Sequence, residues 1–261
     1  MKRYLPFILI FLVAALAVSG GVFLYKAKHE VFAPIPGEAE STTRGAVPPH
    51  FRGSAKAPVV LEEFADLQCP PCAQVAVALK KIEHDYSKRV RVIYRQFPMP
   101  MHNHAVEAAR AAEAAGAQNR FWEMTDLLYE NQNEWAKATD VQPLFEQYAQ
   151  KIGLDLARFK VDREDNALLG RIGMDGERGR SMDVRGTPTL FINNQRVPVE
   201  SMSEPGLRAA LDAALNGKPL FPNSTPTPSL PPQPIQSAPI PIATPASSAT
   251  PVPTDSPAPI K

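Results

Sequence analysis

The chain shows no excess of either charge: 28 Lys and Arg against 27 Asp and Glu give a formal net charge of +1 over 261 residues. No block of like charge stands out, which removes the main electrostatic reason to expect a nucleic-acid partner. Cysteine is almost absent. Cys69 and Cys72 are the only two, too few for a disulfide framework, and with no second pair they supply half of a closed four-ligand zinc site at most. Both ends are nearly free of charge. Leu5 to Tyr25 carries none, and between Pro219 and Pro259 the sole charged side chain is Asp255, with no aromatic after Phe221.

Proline is plentiful instead, and 14 of the 28 fall between Pro219 and Pro259 among abundant Ser and Thr. Such a stretch buries too little apolar surface to offset its ordering entropy, so residues 218–261 read as a disordered tail. At the other end, Lys2 and Arg3 precede 21 uncharged residues, which at about 1.5 Å each reach about 30 Å, the hydrocarbon thickness of a bilayer. Ala15-Leu16-Ala17 would serve as a signal-peptidase site, but the apolar run continues through Tyr25, which favours a retained anchor over 1–25 with its N-terminus in the cytosol. Either reading puts the rest of the chain outside the cytosol. Residues 26–49, rich in Pro, Gly, Ser and Thr, read as a tether. His50 to Gly217 remains, a length that suits one domain burying roughly 70% of its unfolded surface.

The cysteines stand in the order Cys69-Pro70-Pro71-Cys72. An exported pair is expected to close, yet as a staple it is poor, because a loop of four residues gives only about 2 kcal/mol against about 3 for fifteen. Opening and closing the bond is the better use. Val59-Val60-Leu61 with Phe64 reads as a buried strand, and Val75, Leu79, Ile82 and Tyr86 recur at helical spacing after Cys72. The pair therefore sits where a strand runs into the first turn of a helix. Free backbone N–H groups and the helix dipole there favour a thiolate, and Pro70 and Pro71 suit a helix start. Cys69 is expected to be the exposed nucleophile and Cys72, one turn inside, the buried resolving thiol.

Glu63 to Cys72 (EFADLQCPPC), taken with Arg185 to Asn193 (RGTPTLFIN), resembles the DsbA-like branch of the thioredoxin superfamily over about His50 to Gly217. The resemblance implies an α/β thioredoxin fold and a thiol-disulfide oxidoreductase without cofactor or metal. It implies that Pro188 is a cis-proline facing the sulfurs with Thr187 beside it, and that Glu63 is a buried acid beneath them. A carboxyl so placed could exchange a proton with Cys72 through water, burial raising its pKa. Strand alternation sends Glu62 to the opposite face, so it is the alternative inward residue; Asp66 and Gln68 read as loop polar groups.

The order of elements agrees. Val90 to Phe97 alternates Val90, Val92 and Tyr94 with Arg91, Ile93 and Arg95, as in a strand whose second face is partly covered. The stretch from there to Pro188 reads as almost wholly helical, a helical insertion over about 102–182. Within it, Met99, Met101, His102 and His104 could be a copper loop but read better as packing methionines at a helix entry. Gly170, Gly173, Gly176 and Gly179 suggest a loose helix, each costing about 1 kcal/mol relative to Ala. The expected activity is oxidation of newly exported proteins at the outer face of a bacterial inner membrane by a monomer that a membrane redox partner resets. Pro71, where the strong oxidants carry His, keeps a reductase or isomerase in view, and a scaffold working through the tail is a reading of a different class.

Overall fold

The computed structural model describes residues 35–36 and 43–222. The expected anchor over 1–25 and nearly all of the tail beyond Gly217 lie outside the described residues, among which no helix is long and apolar enough to cross a membrane.

Five strands form one sheet in the order β1-β3-β2-β4-β5. They are β1 (His50–Gly53), β2 (Val59–Ala65), β3 (Val90–Gln96), β4 (Thr189–Ile192) and β5 (Gln195–Arg196). β2 and β3 run parallel, joined by helix α1 (Pro70–Tyr86), and the other pairings are antiparallel. A parallel pair needs such a crossover, which covers one face of the sheet. Between β3 and β4 come six helices: α2 (Ala105–Gly116), α3 (Phe121–Glu130), α4 (Gln132–Trp135), α5 (Gln142–Lys151), α6 (Leu156–Glu164) and α7 (Asn166–Ser181). A short 3₁₀ turn, Val199–Ser201, then leads to α8 (Glu204–Leu215).

The pleat of β2 sends alternate residues to two different cores. Val59 and Leu61 pack with Val75, Leu79 and Ile82 of α1 and with Leu207 and Leu211 of α8. Phe64 faces the other way, onto Val184, Phe191 and Phe97. The largest apolar cluster lies in the insertion, around Trp135, Phe145 and Phe159, and reaches Cys69, Cys72 and Tyr94.

Both faces of the sheet are covered, which corrects the expectation of a half-covered second face: every residue of β3 is buried, Arg91 and Arg95 included. Helix α7 provides the second cover and brings the charges that make it tolerable. Arg95 Nε and Arg178 Nε each donate to Glu62 Oε1 at 2.7 Å, Arg178 Nη2 reaches Glu62 Oε2 at 2.8 Å, and Arg95 Nη1 also meets Asp175 Oδ1 at 3.0 Å. Burial works against the charge on Glu62, but the two guanidiniums outweigh it and hold its carboxyl below the usual range.

This charged layer also fastens residues 43–46, which the sequence reading placed in the tether. Ala46 N donates to Asp175 Oδ1 at 2.8 Å, Arg95 Nη1 to Ala46 O at 2.9 Å, and Arg178 Nη1 to Thr43 O at 2.8 Å. Composition hid this, because the partners are supplied by residues between 49 and 135 positions away. The glycines of α7 are likewise not uniformly loose. A Cβ on Gly170 or Gly173 would meet nothing, whereas one on Gly179 would come within 2.6 Å of the Phe97 ring and 3.0 Å of Phe64.

Candidate active site

β2 ends at Ala65, and the chain turns through Asp66-Leu67-Gln68 before α1 begins at Pro70 with Cys69 as its N-cap. Prolines occupy the first two helical positions, where a missing N–H costs nothing. The turn is set by Asp66, which is fully buried and saturated. Its Oδ1 accepts from Gln68 N at 2.7 Å, and its Oδ2 accepts from Met99 N and bonds His102 Nδ1, each at 2.7 Å. The Met99–His104 segment is thereby tied to the loop before Cys69. Its two histidines go to different carboxylates, since His104 Nδ1 meets Glu107 Oε2 at 2.7 Å while His104 Nε2 meets Ala138 O at 2.9 Å.

The structure brings Cys69, Cys72 and Thr187 together. Both thiols are free. Cys69 Sγ donates to Thr187 O at 3.3 Å, and the Thr187–Pro188 peptide bond is cis. The backbone carbonyl of Cys69 accepts from Cys72 N at 3.1 Å and Ala73 N at 3.3 Å, which fixes the first turn. The expectation of an exposed Cys69 needs correction: the residue is only 5% exposed, and Cys72 is 0%. Beyond Thr187, the insertion supplies the cover, because Gln132 Nε2 on α4 donates to Leu67 O at 2.7 Å and to Cys69 O at 3.1 Å. The order of exposure holds, at a lower absolute level than a bare helix terminus would give.

The electrostatics of the pair are asymmetric. A hydrogen bond from the Cys72 thiol pulls Cys69 down to about 6, helped by the Thr187 side chain and the Cys72 N–H, while burial and the Asp66 charge oppose the change. When Cys69 ionises, its own bond to the Thr187 carbonyl is lost and these donors take over. Cys72 is pushed far above the ordinary thiol range, first by burial, then by its bond to Cys69 and the charge of Glu63. At neutral pH this arrangement holds one thiolate, on Cys69, with the proton kept on Cys72.

Glu63 lies on the α1 face of β2, paired in register with Tyr94 of β3. It is 2% exposed and its Oε1 has no hydrogen-bond partner among the described residues. Burial, then the charge on Cys69, raises its carboxyl to about 8. Glu62, one residue earlier, is bound to Arg95 and Arg178 on the opposite face, so the two acids are separated by the sheet itself. Tyr94 and Tyr129, whose hydroxyls lie 3.1 Å apart, were not singled out in the sequence. Strand alternation could have placed Tyr94 beside Glu63 once the parallel register was known; Tyr129 and Gln132 belong to the insertion, and nothing local marks them.

A groove of about 500 Å³ lies between Pro71, Gln74, Val75 and Ala78 of α1 and the Thr187-Pro188 turn, bounded also by Val199, Met202, Ser203 and Glu204. Val199 is 80% exposed, a large apolar side chain left open to a partner.

Comparison with known proteins agrees with this geometry. A family model described as thioredoxin matches residues 46–213. Among solved structures, BdbD from Bacillus subtilis superposes with a TM-score of 0.57 at 21% identity, covering 67% of this chain and 99% of that one. DsbA2 from Pseudomonas aeruginosa gives 0.52 at 29% identity, covering 65% and 96%. In sequence, a protein named Na(+)/H(+) antiporter NhaA 3 from Salinispora tropica is 40% identical over 148 residues, 56% of this chain but 22% of that protein. The chain thus spans about a quarter of the length of the curated relatives it matches.

Proposed function

The chain belongs to the DsbA-like branch of the thioredoxin superfamily, and from that premise we propose that it is a protein thiol-disulfide oxidoreductase working through Cys69 and Cys72. The observation that carries this reading is the asymmetry of the two thiols: Cys69 at a helix N-terminus with its pKa lowered to about 6, Cys72 buried behind it and held protonated. In the oxidising direction a substrate thiolate attacks Cys69 of the closed disulfide. The Cys69–Cys72 bond breaks, a bond between Cys69 and the substrate sulfur forms, and the electron pair passes to Cys72, which takes a proton. A second substrate thiolate then attacks the substrate sulfur of that mixed disulfide and releases Cys69 as a thiolate, leaving substrate oxidised and enzyme reduced.

Glu63 is the proton donor to Cys72 in the first step, since a carboxyl near 8 is protonated at neutral pH and close enough in energy to give its proton up. Thr187 and Pro188 form the wall against which an extended substrate segment lies, with the groove between that turn and Pro71, Val75 and Ala78 taking its side chains. The oxidase direction, with exported proteins as substrates and a membrane redox partner restoring the disulfide, rests on the uncharged segment from Leu5 to Tyr25, which is read as an anchor holding the domain on the periplasmic side. The matched part of the NhaA-named proteins is about a quarter of their length, and the transport in their names is not carried to this chain.

The test is reoxidation of reduced ribonuclease by the full chain, with Cys69→Ser and Cys72→Ser beside it. Cys69→Ser should abolish exchange, and Cys72→Ser should accumulate mixed disulfides. Accumulation in the Cys69 variant instead would reverse the assigned roles, and exchange by neither parent nor variant would end the reading.

A further inference from the structure

The turn that carries Cys69 contains a carbonyl that the turn itself does not use. Cys69 N donates to Asp66 O at 3.1 Å, which closes residues 66–69 and leaves Leu67 O without a partner inside the turn. Leu67 is buried, so solvent does not serve that oxygen either. Two residues on, the Cys69 carbonyl has the opposite problem. Pro70 and Pro71 have no N–H, so Cys72 N and Ala73 N are the first backbone donors of α1, and both are turned onto Cys69 O, at 3.1 and 3.3 Å.

One side chain meets both carbonyls. Gln132 Nε2, on α4 of the helical insertion, donates to Leu67 O at 2.7 Å and to Cys69 O at 3.1 Å, and the residue is buried. A primary amide nitrogen carries two hydrogens, and here each has its own acceptor; a carboxylate or a thioether in that place would offer none. Helix α4 is only four residues long but is well seated. Trp135 is fully buried, donates Nε1 to Leu128 O at 2.7 Å, and meets Phe145 edge-on with ring centroids 5.4 Å apart. The chain just after it repeats the attachment, since Ala136 O accepts from Gln68 Nε2 at 3.4 Å and Ala138 O meets His104 Nε2 at 2.9 Å. The insertion thus holds the loop before α1 at several points, and through Gln132 it reaches the backbone of the nucleophile.

The Cys72 N–H has two acceptors within reach. While Cys69 is a thiol, that N–H serves the Cys69 carbonyl. Once Cys69 ionises, its sulfur draws on the Cys72 thiol, then on Thr187, then on the same Cys72 N–H. Carbonyl and sulfur of one residue compete for one hydrogen, and a donor that satisfies the carbonyl from elsewhere shifts that competition toward the sulfur.

We propose that Gln132 is a positioning residue for thiol exchange: its amide holds the Leu67 carbonyl so that the turn keeps its shape, and holds the Cys69 carbonyl so that the Cys72 N–H can serve the Cys69 sulfur. The inference rests on the thiol-exchange reading above and adds to it a part for the helical insertion in the chemistry. When the second substrate thiolate attacks the substrate sulfur of the mixed disulfide, the bond from that sulfur to Cys69 breaks and its electron pair stays on Cys69. Gln132 touches neither sulfur; it sets which acceptor the Cys72 N–H serves as that charge appears.

The experiment compares the full chain with Gln132→Met, which has a similar length and no donor. Ultraviolet absorbance of the thiolate against pH should show the Cys69 midpoint raised by about one unit, a roughly tenfold loss of acidity. Equilibration with glutathione should shift about tenfold toward the disulfide form, a couple about 30 mV less oxidising. A variant that is less stable in urea but keeps either value unchanged overturns the proposal and leaves Gln132 a structural residue. Should Met at this position prevent folding, NMR of the parent decides: both Gln132 side-chain amide protons should exchange slowly with solvent, and their resonances should move as Cys69 titrates. Fast exchange, or resonances that stay fixed across that titration, overturns the proposal equally. A parent whose cysteines never equilibrate with glutathione refutes the thiol-exchange reading instead, and the thiolate midpoint and the amide resonances still decide the role of Gln132.

Discussion

Replacing Glu63 with Gln removes one titration from the fold while preserving its shape, which makes the stability of the reduced protein against pH a direct reading of that carboxyl. The folded pKa is raised from 4.5 to about 8 by burial and by the charge on Cys69. Between those values the folded protein holds a proton that the unfolded chain has released. Its contribution is therefore complete below pH 4.5 and lost as pH rises through 8, at about 1.4 kcal/mol per pH unit, or about 5 kcal/mol over the whole window. Cys69 works in the opposite sense: its pKa falls from 9.0 to about 6, so its contribution is present above pH 9 and lost as pH falls toward 6. In the parent the two slopes oppose each other between pH 6 and 8, and the visible loss of stability, about 2 kcal/mol, falls between pH 4.5 and 6. The difference between Glu63→Gln and the parent cancels the surface groups and all of the Cys69 titration except its coupling to Glu63. Urea denaturation in reductant should show Gln gaining on the parent steadily from pH 4.5 to 8. A difference that stays flat to within about 1 kcal/mol across that range would show that the carboxyl is not raised, and with it the proton-donor role would fail.

Other substitutions test separate parts of the argument. Pro71→His places a cation beside the Cys69 thiolate and should lower its pKa below about 6 and make the couple more oxidising, as read by equilibration with glutathione. The parent potential should lie between about −270 and −120 mV, and a value at or below the lower end would favour a reductase. Arg178→Met removes two of the bonds to Glu62 and should cost about 3–5 kcal/mol in urea while leaving the potential unchanged, because the pleat of β2 puts that pair on the face away from the sulfurs. Gly173→Ala, with open space around it, should stabilise by up to about 1 kcal/mol, whereas Gly179→Ala should destabilise by about 1–3 kcal/mol as its methyl meets Phe97 and Phe64; thermal melts of the pair check both signs.

The sequence by itself determined the CxxC at a strand-to-helix junction and the long helical stretch between β3 and β4, because these depend on periodicities and on short spacings that the backbone converts directly into geometry, while the α/β class came with the resemblance of its two motifs. It also set Glu62 and Glu63 on opposite faces, but could not say that both faces are buried, since that depends on α7 packing across the sheet from more than a hundred residues away. Tertiary structure alone decided that Cys69 is roofed by Thr187 and Gln132, that Asp66 ties the His102 segment to the active-site loop, and that residues 43–46 are held by Arg95, Asp175 and Arg178. It also decided the surroundings of Glu63. A carboxyl's pKa is set by what replaces water around it, and here the replacement comes from Tyr94, Tyr129 and the sulfurs, on three elements that the order of residues does not bring together.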